Sequence, residues 1–153
     1  NPFQCNLGYQ VSLSGKGEWN KQADYIGKGA LEKMKQQIKN GEKPYKLHLV
    51  GLELGGKPIE DYANDFYLIS NVDGGKPVGY ITSPWFHPEK GINIAMGYVP
   101  YEGHLNNNGF PIGNIGKKYK VHLPKKYSNK PVDALVVSLP FTASYNANTR
   151  EVK

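Results

Sequence analysis

The chain has 153 residues, 39% of them hydrophobic, which is enough for one core with an appended segment and favours strands and turns through its eleven Tyr and eighteen Gly. Its net charge of +6 comes almost entirely from scattered lysines, with Arg150 the only arginine, so the bidentate forks that read bases are missing and a solvated basic surface is expected. No apolar run approaches the roughly 18–20 residues of a membrane span, no charged-then-apolar leader is present, and the lone Cys5 excludes an internal disulfide and a CxxC metal site, which points to a reduced, cytoplasmic setting.

In chain order, Leu7, Tyr9, Val11 and Leu13 alternate with Gly8, Gln10 and Ser12, the pattern of a short half-buried strand, and a loop around Trp19 follows. Asp24 is a good N-cap for a helix over about 24–40, with Ile26, Ala30, Leu31, Met34 and Ile38 on one face. Asn40-Gly41 with Pro44 beyond supplies the stop. Six strand-like runs come next: Tyr45–Leu54, Phe66–Ser70, Val78–Ser83, Ile92–Val99, Lys118–Leu123 and Ala134–Phe141. Asp73-Gly74-Gly75 marks a hairpin, and the Asn- and Gly-rich stretch from Pro100 to Gly116 reads as a surface excursion. The expected fold is mainly β, a six-stranded antiparallel β-barrel (45–153) preceded by a segment with one linker helix (1–44).

Chemical motifs are sparse. The four histidines form no HxH or HExxH pair, and no GxSxG elbow, GxGxxG turn or P-loop occurs, so no catalytic residue and no metal ligand is assigned. His48 and His122 each sit within an alternating run and read as solvent-facing or satisfied partners. His87 lies in Ser83-Pro84-Trp85-Phe86-His87-Pro88, where two prolines stiffen a loop carrying two aromatics. That loop is either a hydrophobic plug over one barrel end or a wall of an active-site cleft. Cys5, with no cationic neighbour in sequence, reads as a packing residue.

Asp24-Tyr25-Ile26-Gly27-Lys28-Gly29-Ala30-Leu31, Leu49–Leu54, Val78–Ser83, Asn93–Pro100 and Ala134–Phe141, in that order, resemble the glycine-cleavage T-protein family of folate-dependent aminomethyl- and methyltransferases. The resemblance implies the C-terminal part of a three-domain enzyme built around a tetrahydrofolate cleft. Partners would then be the folate, a small methyl or aminomethyl donor and the N-terminal domains of the same protein, with membranes and nucleic acid outside the set. The chain opens on Asn1-Pro2 without an initiator Met, so the folate anchor is expected upstream and this part alone is expected to be inactive. By the same resemblance the cleft wall would include Tyr9, Trp85, Tyr145 and Arg150. Pro84-Trp85-Phe86, where the family usually has a small glycine-containing turn, and the long Gly103–Gly116 loop point to a specialised branch, with dimethylsulfoniopropionate demethylation favoured over the glycine-cleavage reaction. From another class, a basic β-barrel with exposed aromatics would suit single-stranded nucleic acid.

Overall fold

A computed structural model describes residues 1–11, 13, 24–103, 112–141, 145–146 and 151–152. Its centre is a closed barrel of six antiparallel strands, β1 (Leu47–Leu54), β2 (Tyr67–Asn71), β3 (Gly74–His87), β4 (Ile92–Pro100), β5 (Lys118–Val121) and β6 (Val132–Val137). Around the barrel they run β1-β4-β3-β2-β5-β6, with β6 returning to β1. Alternation of burial along β4 and β1 turns Val50, Leu52, Leu54, Ala95 and Val99 inward, where they meet Ile69, Ile81, Val121 and Val136. Closure leaves no long strand edge for another chain to extend.

The helix, α1 (Lys28–Lys39), starts later than its sequence signals indicate. Gly27 at φ 88, not Asp24, occupies the N-cap, and no side chain caps the helix there. Ile26 therefore precedes the helix and is fully exposed, and Ala30 in the first turn is exposed as well. Leu31, Met34 and Ile38 keep the expected face and pack on a second small core of Phe3, Tyr45 and Tyr101. The C-terminal stop is as expected: Gly41 N–H bonds to the Ile38 carbonyl and Glu42 N–H to the Gln37 carbonyl, a Schellman closure.

Three other expectations are corrected. The alternating run Leu7–Leu13 is not a strand, because Phe3–Cys5 and Gly8–Gln10 form 3-10 turns, with Asn6 at φ 62 between them. Ser83–His87 is not a proline-stiffened loop but the last part of the 14-residue β3, paired to β4 as far as His87↔Ile92. Pro84 is tolerated there for a geometric reason. The Phe86 N–H, two residues on and on the same strand edge, points away from β4 to the Ile59 carbonyl, so Pro84 lacks a donor on the side where β2 no longer runs. Finally, the closing strand stops at Val137, and Ser138–Phe141 leaves the sheet through a cis Leu139–Pro140 peptide.

Leu52 is completely buried inside the barrel. Leu52→Ala is expected to lower stability by about 2–5 kcal/mol in urea unfolding, whereas Phe66→Ala, on the exposed outer wall, is expected to change it by less than about 1 kcal/mol.

Candidate functional site

The outer wall of the barrel is divided in character. Its β5 and β6 side is charged, with Lys118 and Lys120 outward and Lys120 Nζ 2.8 Å from Asp133 Oδ1. Its β1-β4-β3-β2 side carries an apolar band, in which Leu49, Tyr98, Tyr80 and Leu68 lie opposite one another in register across four strands, with the Glu53–Lys90 ion pair, 3.0 Å, at the end where Glu53 faces Ile94. Ile94 and Trp85 form a second outward pair nearer the other end. Phe66, Tyr80 and Tyr98 continue as a chain of rings with centroids 5.2 and 5.4 Å apart.

Two segments cover part of this wall. Ser138–Phe141 folds back over β1 at Gly51, where a Cβ would stand 2.8 Å from Leu139 Cδ2 and 3.1 Å from Phe141 Cε1. Only glycine lets the tail lie this close. The N-terminal turns cover the neighbouring stretch. Asn6 Nδ2 donates to the Leu49 carbonyl at 2.9 Å, Asn6 Oδ1 lies 2.7 Å from His48 Nε2, and Cys5 Sγ lies 3.2 Å from the Tyr98 hydroxyl.

The Asn6 contacts define the state of His48. With Nδ2 committed to a carbonyl, Oδ1 must accept, so His48 carries its proton on Nε2 and Nδ1 accepts from the Tyr45 hydroxyl at 3.1 Å. The ring is 0% exposed, and burial alone pushes its pKa down to about 4. Burial likewise pushes the Tyr45 hydroxyl up, with Tyr101 beside it adding to the shift. The Tyr101 hydroxyl is buried and near Tyr45 but outside hydrogen-bond geometry with any described residue. His48 is thus a satisfied structural partner, and so is His122, whose Nε2 lies 3.0 Å from Ser70 Oγ.

The four residues assigned to a cleft wall are placed unevenly. Tyr9 is 64% exposed on the second 3-10 turn, and Gln10 Nε2 donates to its hydroxyl at 3.1 Å. Trp85 is 51% exposed on the outer face of β3, and so does not plug a barrel end; on the segment covering that end the buried side chain is Ile59, whose N–H bonds to Asn93 Oδ1 at 2.9 Å. Tyr145 lies in β7 (Tyr145–Asn146), paired in register with β8 (Glu151–Val152). Arg150, like Trp19 and His104, lies outside the described residues. Among the described residues no hydrogen bond or ring contact joins Tyr9 to Trp85. Sequence reading missed Asn6, Tyr45 and Tyr101. A lone Asn after a 3-10 turn carries no motif, and its partners stand 42 and 43 residues away.

Among the described residues no group of three or more His, Cys, Asp or Glu could hold a metal, and no helix is long and apolar enough to cross a membrane. Residues 48–142 match the family described as glycine cleavage T-protein C-terminal barrel domain. An aminomethyltransferase of Thermosynechococcus vestitus is 33% identical over 133 residues, which is 86% of this chain and 29% of that protein. One from Nostoc sp. PCC 7120 is 30% identical over 145 residues, 95% of this chain and 31% of that protein. In three dimensions the chain is similar to the crystal structure of glycine cleavage system aminomethyltransferase T from Bartonella henselae, with TM-score 0.60 and 22% identity over 93% of this chain and 32% of that one. The chain therefore spans about a third of the length of the curated relatives it matches.

Two outcomes test this geometry. Because His48 is held neutral, the unfolded chain takes up a proton as pH falls through 6.5 while the folded chain does not until about 4. Stability is therefore full above pH 6.5 and falls by about 2 kcal/mol between pH 7 and pH 5, a slope that His48→Gln should flatten in urea unfolding series. Gly51→Val, which drives a branched side chain into Leu139 and Phe141, is expected to cost about 1–3 kcal/mol in the same assay.

Proposed function

Since the chain belongs to the glycine cleavage T-protein family, as its C-terminal barrel domain, we propose that it supplies the barrel and one cleft wall of a tetrahydrofolate-dependent one-carbon transferase. The observation that carries this reading is the apolar outer wall. Half of the barrel's exterior is built for cover, its own tail and N-terminal turns cover only part of it, and the relatives are about three times as long. Residues 1–44 are then a segment of the preceding domain that carries the linker helix α1 ahead of the barrel 45–153, and the remaining domains of the larger protein lie against Tyr80, Leu68 and Phe66.

Toward the folate, this chain's residues fit a wall and not an enclosure. Tyr9 and Trp85 each present an open ring face, suited to stacking on a flat heterocycle and to keeping water from one side of it. Tetrahydrofolate would supply the nitrogen that receives the one-carbon group. The wall residues orient the two reactants, which is the larger part of what such a transfer needs. Tyr145 and Arg150, on the tail beyond the barrel, complete the wall in this reading.

The group transferred is aminomethyl by the names of the relatives. A second reading, methyl transfer from the sulfonium of dimethylsulfoniopropionate, is favoured by Trp85 itself, an indole half-exposed on a strand and available to face a cation, worth about 1–2 kcal/mol when desolvated. Turnover of the full-length protein with each donor separates the two. Trp85→Ala in that protein is expected to raise KM for folate or donor about tenfold, and unchanged steady-state constants would remove Trp85 from the cleft wall.

A further inference from the structure

At the barrel end opposite His48, the approach to β2 and the turn after β5 flank an open cleft of about 350 Å3, within the size range of small-ligand sites. Tyr9 and Trp85 take no part in it. One side is apolar, formed by Leu123 and Pro124, and the rings of Tyr62 and Tyr67 border it. Tyr67 is buried as a ring and makes no hydrogen bond through its hydroxyl among the described residues. Tyr62 is 85% exposed at its rim.

The charges around the pocket are not balanced. Lys126 is spent on Asp61, with Nζ 2.7 Å from Oδ2, and the Tyr127 hydroxyl donates to the same oxygen at 3.3 Å. Lys126 also lies 4.8 Å from the centre of the Tyr127 ring. Asp65, also lining the pocket, has neither an ion pair nor a hydrogen bond among the described residues. His122 is committed through Nε2 to Ser70. One uncompensated carboxylate, two tyrosine rings and an apolar floor make a site that repels anions and attracts a positive charge carried on a short apolar body.

We propose that this barrel mouth binds a small organic ammonium, its charge on Asp65 and its apolar part between Leu123, Pro124 and the Tyr62 ring. The inference does not rest on the one-carbon transfer reading, and a polyanionic folate tail would be turned away here.

The test is a nuclear magnetic resonance titration of the isotope-labelled chain with benzylammonium chloride. Saturable shifts confined to the backbone amides of Asn64, Asp65, Tyr67 and His122, at ~millimolar affinity, are expected. Asp65→Asn, an exposed and unpaired position that tolerates the change, should weaken binding about fivefold, and added salt should weaken it as well. Neutral benzyl alcohol should bind less tightly than benzylammonium, and benzoate should not bind. A parallel titration with lysine blocked at both ends distinguishes sources: tighter binding than benzylammonium assigns the cation to a protein side chain, weaker binding to a free amine, and either upholds the site. Equal binding of benzyl alcohol, indifference to Asp65→Asn, or no shift at these residues overturns the proposal.

Discussion

Between Leu49 and Leu52 on β1, and Ala95 and Tyr98 on β4, the two strands are apolar on both faces, and the N-terminal turns and the C-terminal tail cover part of the outer one. Inward, Val50, Leu52, Ala95 and Val99 make an ordinary barrel core. Outward, Leu49, Met96 and Tyr98 would each leave apolar area in water at roughly 25 cal/mol per Å2, a cost that a small domain with one core is poorly placed to carry. The N-terminal turns and the Ser138–Phe141 tail meet that constraint from opposite directions in sequence and converge on adjacent parts of the same two strands. Gly51 admits the tail, and Asn6 fastens the turns by satisfying a strand carbonyl and a buried imidazole at once.

The two ends of the barrel solve the problem of buried polarity differently. At the His48 end the network is neutral: an amide, an imidazole and a phenol exchange hydrogen bonds, and nothing charged is taken out of water. That is why burial can be complete there. At the Tyr67 end the polar groups are ionised, and they stay near the surface as the Lys126–Asp61 pair and Asp65 do. Asn93 provides a neutral anchor at that end, receiving the Ile59 N–H and donating to the carbonyls of Gly55 and Lys57.

How much of this was legible in the sequence depends on the range over which each signal acts. Period-2 alternation with Gly turns marks all six barrel strands, because a half-buried strand writes its environment into its own neighbours. The same rule misleads at Leu7–Leu13, where the apolar residues share no buried face: Leu7 and Tyr9 are exposed, Leu13 rests on the second core, and Gly8–Gln10 is a 3-10 turn. Pro84 misleads in the opposite sense, since the penalty for proline depends on which edge of β3 its missing donor faces, and only the extent of β2 decides that. The helix starts at Gly27 rather than Asp24, with a left-handed glycine and no side-chain cap at that position, so local capping preference does not decide where it begins. The apolar run Ala134–Phe141 is continuous in sequence yet divided in space, its first part inside the sheet and its last residues outside on Gly51.

The division of the barrel's circumference then bears on the proposed cleft. A wall shared with other domains must present residues that lose by contact with water, and it must keep its charged residues elsewhere. Lys118, Lys120 and Asp133 stand on the β5–β6 side, while Trp85, Tyr80, Phe66 and Leu68 stand on the β3–β2 side. Trp85 lies at the margin of this second group, on the last stretch of β3, where β2 has ended and only β4 pairs with it. A ring in that position borders both the apolar seam and open space. In the one-carbon transferase reading proposed above, such a border position would let the ring face a cofactor on one side while the apolar seam beside it keeps water away.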